Sequence, residues 1–525
     1  MGVVVLIALV GLVLFLYRQY RIFQFWRKLS VPYQTPIPIF GNMLPTTIQT
    51  KALANIHKEI YDKYHDHRYV GLYMFSCPSL MIRDLELIKQ VCIKDFNYFS
   101  DHRQLLPKKA DPFWNKLLFA RKGRDWHDYR VIMSPAYSQT KTKVKYPFMS
   151  KCAQRLVESL PKSKETVTVD AYEMFLKFSN DLTLNHAYGI EVNSFDESGS
   201  EFYRMAQISF LSAKMAAFKY FGAAISTTFS HMFKITFFKD ETKQFYMKLM
   251  KDTVEYREKH NIVHVDVLYL LREAQKGRVH LDNETKGVGL QGEDMGDNYV
   301  PPKITDEDIL IQLLGLFLAN FESFATFISN LAFELAVNPD VQEKLIEEID
   351  ETWRQCNGNI TYDYLINMKY FEMVCNEGLR LRSPTNFLDR IVTKPYTIPP
   401  VLPHEKPLHL EVGQDITIPV YSISHDGNYF EDPEKFDPER FNDENKDKLI
   451  PETLLGLGYG SRFCIGARLV PFQTKLVLFH LLGKYRLVPT EKTVIPFELH
   501  KASFSQFSAN GYWLGLEPRK DAPKL

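Results

Sequence analysis

One cysteine of this chain is set up for ligand chemistry. Cys464 lies in the run Gly458-Tyr459-Gly460-Ser461-Arg462-Phe463-Cys464-Ile465-Gly466. A thiolate is a soft, strongly donating ligand, and glycines on both sides let the backbone bend closely around something flat. The loop's amides can hold the sulfur as an anion, and Arg462 can meet a carboxylate at the ligand's edge. Two readings stand. A haem iron with a thiolate ligand fits each of these features, including the push of electron density that favours oxygen–oxygen cleavage. A buried structural cysteine in a glycine turn fits them too. A zinc site fits poorly, because no second cysteine or histidine stands at ligand spacing.

Three other groupings carry chemistry. Trp126 and Arg130 are one helical turn apart, and an indole N–H and a guanidinium suit a buried carboxylate as well as an amphipathic surface helix. Glu322-Ser323 sits within a long apolar run as an acid beside a hydroxyl, either a proton relay or a paired core carboxylate. Glu377 and Arg380, at i and i+3, read on chemistry alone as an ordinary surface pair. Arg390, on an extended stretch after Pro384, is a further candidate for a carboxylate contact.

These groups need elements to hold them. Thr305-Asp306-Glu307-Asp308 is a helix start and Asn338-Pro339 a stop; between them only Glu322 and Glu334 are charged. A helix apolar nearly all round must cross the middle of a large domain. Tyr69 to Asp84 reads as a hairpin with Pro78 in its turn, and Cys77 and Cys92 as small core fillers. Arg121 to Arg130 is expected to be helical, and Arg121, Lys122, Arg124, Lys141, Lys143 and Lys145 give a basic face. The run over 209–238 is apolar without a strict period, and 287–302 reads as a surface loop. Arg468 to Tyr485 reads as a helix, with short strands beyond it to Leu516.

Met1 to Tyr17 carry no charge, and Arg18, Arg21, Arg27 and Lys28 follow. We expect a short or tilted membrane signal-anchor over residues 1–17, with positive charge holding the bulk on the cytoplasmic side. Pro32, Pro36 and Pro38 then give a basic, proline-rich neck over 18–42. A net charge of +1 over 525 residues, 45% of them apolar, excludes a disordered chain and gives no sign of nucleic-acid binding. Six scattered cysteines without a Cys-x-x-Cys pair suit a reducing compartment.

The cysteine loop resembles the haem-binding loop of the cytochromes P-450, Phe-x-x-Gly-x-Arg-x-Cys-x-Gly. Gly460, Arg462, Cys464 and Gly466 match. Leu457 replaces the phenylalanine, and Gly456 and Ser461 stand where relatives usually have proline. The resemblance continues, in order, through Trp126-x-x-x-Arg130, Ala319-Asn320-Phe321-Glu322-Ser323, Glu377-x-x-Arg380 and Pro438-Glu439-Arg440-Phe441. In the second of these, Asn320 replaces a glycine and Ser323 a threonine. Wording such as Lys94-Asp95-Phe96 and Asp101-His102-Arg103 is most similar to insect microsomal members of the detoxifying kind.

The resemblance implies a mainly α fold with a small β-rich part, a single catalytic domain over 43–525 behind the membrane helix. It implies heme held by Cys464 as axial thiolate. Trp126, Arg130, Arg462 and Arg390 would hold propionates, Glu322 and Ser323 would deliver protons, and Glu377, Arg380 and Arg440 would form a buried structural network. Asn320 would narrow the space over the iron or add a donor there. The basic face would receive an NADPH-dependent flavoprotein reductase. Phe504 and Phe507 would reach the pocket or fill core. The apolar 209–238 run would be a lid touching membrane lipid, and the substrates apolar small molecules such as xenobiotics. The implied location is the endoplasmic reticulum membrane, and the implied reaction is monooxygenation. A hydroperoxide isomerase or dehydratase, and a non-catalytic haem binder, are the alternatives.

Overall fold

The computed structural model describes residues 2–104, 111–210, 238–279 and 302–522. The apolar run over 211–237 and the loop over 287–301 therefore lie outside the described residues.

Helices dominate. The first, α1 (Gly2–Phe23), runs on through Arg18 and Arg21, longer than the uncharged stretch suggests. The segment after it is not a free neck. Trp26 is buried beneath Gly71, where a Cβ would lie 2.4 Å from the indole, and its Nε1 donates to the Leu72 carbonyl at 3.1 Å. Residues 32–42 then follow the sheet edge, with Gly71 N–H donating to Pro32 O and Gln34 N–H to Gly71 O. Some of the segment's backbone groups pair locally, as between Ile37 and Gly41, and others find partners by docking on the sheet, which overrides the stiffness of the prolines.

The hairpin forms from β1 (Tyr69–Met74) and β2 (Cys77–Ile82), but Pro78 lies inside β2 opposite Tyr73. The turn falls at Phe75-Ser76, Phe75 taking a positive φ of 57°. Cys77 is exposed beside it, so only Cys92 is a core filler. Three further elements complete the β part. A four-stranded sheet has the order β1-β2-β7-β4, with β4 (Leu388–Ile391) and β7 (Asp415–Ile418) antiparallel. A pair joins β5 (Tyr396–Ile398) to β6 (Leu408–Leu410). A three-stranded sheet sets β9 (Trp513–Pro518) between β3 (Val167–Asp170) and β8 (Tyr485–Val488).

The helices that position the site are α2 (Gly123–Met133), α3 (Gln139–Ser159), α4 (Ala171–Tyr188), α5 (Asp306–Val337), α6 (Lys369–Leu381) and α7 (Leu469–Leu482). The expected helix start of α5 is a capping box. Thr305 Oγ1 accepts from Asp308 N–H, and Asp308 Oδ2 accepts from Thr305 N–H, both at 3.1 Å. The helix is long and apolar enough to cross a bilayer, yet two thirds of its most apolar window is buried in the protein. It is the axis of the helical core, and a second core lies around the four-stranded sheet.

Candidate active site

The cysteine loop is shaped by close approaches that only glycine tolerates. A Cβ at Gly460 would stand 2.0 Å from the Cys92 carbonyl, and φ there is +72°. At Gly456 it would stand 2.5 Å from the Leu379 carbonyl of α6. The glycine in place of the usual proline thus lets α6 and the loop touch, and Ser383 Oγ secures the contact by donating to Gly456 O at 2.8 Å. Cys464 N–H donates to Leu457 O at 2.8 Å, closing the loop behind the sulfur. Burial pushes the Cys464 thiol up, while the Gly466 amide and the Arg130 charge pull it back.

Around this loop the structure gathers the expected cations. Arg462 lies over the Trp126 ring, 3.9 Å from its centroid, and Arg130 lies 4.9 Å from the centroid of Phe463. Arg462 donates to Ser100 O at 2.8 Å and Arg121 O at 2.9 Å, yet its Nη1 is buried without an acceptor. Arg390, on β4, donates to Asp389 O and Tyr459 O and leaves Nε unpaired. Arg130 is 4% exposed and donates to no described residue. Burial lowers the pKa of Arg130 to about 10 and of Arg462 to about 9, both still charged at neutral pH. Buried cations without acceptors are costly. They are the complement of a ligand with carboxylates, and the residues present fit a haem with its two propionates.

The middle of α5 supplies a second wall. Gly315, Leu318, Ala319, Glu322 and Ser323 recur at i, i+3, i+4, i+7 and i+8 and are all at least partly accessible; between the helix ends only Asn320, at the flank of this face, joins them. One face of the axial helix therefore borders open space. Glu322 makes no hydrogen bond to a described residue, and burial raises its pKa from 4.5 to about 7. Tyr172 of α4 lies close enough to feel its charge.

Asn320 corrects an expectation. Its amide does not enter the open face; Nδ2 donates to Thr183 Oγ1 of α4 at 2.7 Å. Thr183 and Ser179 were marked by no motif, and on a helix that also carries Lys177, Asn180, Asp181 and Asn185 nothing in the sequence singles them out.

The basic face also differs from expectation. Arg121 is buried between Asp125 (2.7 Å) and Asp308 (3.4 Å), and Lys145 is buried against His186 Nδ1 at 3.1 Å. Arg124 pairs with Asp128, and Lys143 with Asp363. Lys122, Lys141 and Lys145 have no ion pair among the described residues. Acids four or more positions away in the chain neutralise half of the six, and burial removes Lys145 from the surface.

Glu377 and Arg380 are not a surface pair. Both are buried, joined by two hydrogen bonds of 2.7 Å, and Arg380 also donates to Ser424 O and Pro433 O. Arg440 completes the network more loosely, with Nε 3.5 Å from Glu377 Oε1 and Nη2 donating to Asp432 O. Phe507 packs on Tyr172 and Tyr512 as core, whereas Phe504 is 41% exposed.

A mainly helical fold with a glycine-framed cysteine, buried guanidiniums that keep N–H groups without acceptors and an acid on an open helix face defines a haem-thiolate protein. The family model described as Cytochrome P450 matches residues 31–514. The chain is 34% identical over 511 residues to Cytochrome P450 9e2 of Blattella germanica, covering 94% of each chain. It is 31% identical to Cytochrome P450 9b2 of Drosophila melanogaster, over 95% of each chain. To Cytochrome P450 6k1 of Blattella germanica it is 31% identical, over 95% of this chain and 94% of the other. The chain belongs to the cytochrome P450 family. It is a haem-binding oxidoreductase, a monooxygenase served by a redox partner and acting on hydrophobic small molecules, and neither the isomerase nor the non-catalytic alternative is favoured.

Proposed function

We propose that Cys464 is the axial thiolate and that Trp126, Arg130, Arg390 and Arg462 hold the haem propionates. The observation that carries this reading is Arg130, a buried guanidinium beside the cysteine loop that donates to no acceptor among the described residues. Bound haem supplies the redox chemistry of oxygen cleavage, favoured by the thiolate's electron donation. The chain's residues do the rest. The Glu322 carboxyl, with a pKa of about 7, holds a proton near neutrality and exchanges it across the open face of α5. Ser323 Oγ, the next residue on that face, passes it inward. The Glu377–Arg380–Arg440 network fixes α6 against the segment that leads into the cysteine loop.

The chain's substrates are apolar xenobiotics, and its electrons come from NADPH through a flavoprotein reductase. Residues 1–17 are the anchor within α1, whose side chains Val3, Leu6 and Val13 are 72%, 62% and 63% exposed in water and suit lipid. Arg18, Arg21, Arg27 and Lys28 keep the catalytic domain on the cytoplasmic face of the endoplasmic reticulum. The domain itself begins at Trp26, earlier than the 43–525 span suggested by the proline-rich segment.

The test is a reconstitution with an NADPH-dependent flavoprotein reductase, an apolar substrate panel and isotopically labelled oxygen. One labelled atom per product molecule, dependent on NADPH, is expected. Product formed from hydroperoxides without NADPH or oxygen would overturn the reading.

A further inference from the structure

Asn320 stands at the flank of the open face of α5, next to Ala319, and three hydrogen bonds decide where its amide points. Thr183 Oγ1 donates to the Ser179 carbonyl at 2.7 Å. A hydroxyl has one proton, so with that proton committed, Thr183 Oγ1 can only accept from Asn320. The amide group facing it must therefore be Nδ2, which lies 2.7 Å away. The orientation follows from the bonding pattern. Ser179 Oγ adds a third bond by donating to the Asn320 carbonyl at 3.1 Å, tying the same residue to α4 through its backbone.

We propose that Thr183 is a positioning residue of the monooxygenase reaction, holding the Asn320 amide donor against α4 and off the face where Ala319, Glu322 and Ser323 stand. The proposal rests on the reading of that face as the wall over the haem. Side chains on a helix have few allowed rotamers, so a released Asn320 would exchange its bond to α4 for the adjoining open space. There its N–H groups would compete with the Ser323 hydroxyl for whatever accepts protons. The chain thus carries a bulky polar residue at a crowded point and neutralises it with an acceptor from the neighbouring helix.

The test is a double-mutant comparison on the full-length haem-loaded protein. Thr183→Val keeps the shape and removes the acceptor, Thr183→Ser keeps the hydroxyl, and Asn320→Ala removes the amide. Readouts are the resting haem optical spectrum and the share of NADPH electrons released as peroxide. We expect Thr183→Val to shift the spectrum and raise the peroxide share by about two- to tenfold, the weight of one ordinary hydrogen bond. Thr183→Ser is expected to match wild type, and Thr183→Val to change neither readout once Asn320 is alanine. Thr183→Ala serves the same comparison if the valine variant does not load haem. An unchanged spectrum and peroxide share in Thr183→Val, or equal shifts with and without the Asn320 amide, would overturn the proposal. A wild-type protein without a thiolate-type carbonyl spectrum would overturn the Cys464 assignment instead, so the two failures are distinguishable.

Discussion

Arg462 lies over Trp126, with its guanidinium carbon 3.9 Å from the indole centroid, two residues ahead of Cys464. The contact joins α2, which carries Arg130, to the cysteine loop. Trp126 is 2% exposed. Its truncation to alanine should cost about 3–5 kcal/mol and lower haem occupancy, measured by thermal unfolding and haem content.

Arg130 should behave differently without and with haem. In the empty protein it is a buried charge lacking an acceptor, so Arg130→Leu should leave apo stability unchanged or raised. In the loaded protein the same change should weaken haem retention by about 1.5–3 kcal/mol, the value of a hydrogen bond to a charged group. Thermal midpoints of both forms, with haem transfer to an acceptor protein, check the opposite signs.

Glu377→Gln should destabilise the fold by about 3–5 kcal/mol, because it strands the Arg380 charge in a site sealed from water. Replacing Glu377 and Arg380 together by apolar residues should recover part of that loss. Arg440→Gln should cost less, since its Nε sits at 3.5 Å and its Nη2 keeps the Asp432 carbonyl. Denaturant midpoints rank the three.

Glu322 fixes a pH dependence. Its pKa in the fold, about 7, is above the ordinary 4.5, because burial penalises the charged form. The protonated acid is therefore the stable one. Its contribution is full below pH 4.5 and is lost as pH rises through about 7, a change of up to about 3 kcal/mol. Glu322→Gln should flatten stability across that window relative to wild type, and should remove a turnover inflection near neutrality.

The sequence made several of these relations legible. The axial helix was readable because Thr305 and Asp308 form a capping box and only two acids interrupt the apolar run. The cysteine loop was readable because its glycines meet backbone carbonyls that leave no room for a Cβ. Other relations were not local. Nothing near Asn320 announces Thr183, and nothing near Arg121 announces Asp308, because each partner is set by how helices cross. Pro78 was misplaced because a proline can sit within an edge-proximal strand when the turn forms just ahead of it. The docked Trp26 was hidden by the prolines that follow it.

Trp26 also yields a truncation prediction. Removing residues 1–23 should leave a folded, haem-loading protein that partitions less into membranes. Removing residues 1–42 should abolish folding, since it takes away Trp26 and the edge segment bonded to Gly71.

The central claim is that the sulfur of Cys464 is the anionic ligand of the haem. The carbonyl difference spectrum of the reduced protein tests it most directly, comparing wild type with Cys464→Ser. Wild type is expected to show the far red-shifted thiolate band, and the serine variant to lose it. A wild-type spectrum without that band, or a serine variant that retains it, would contradict the account.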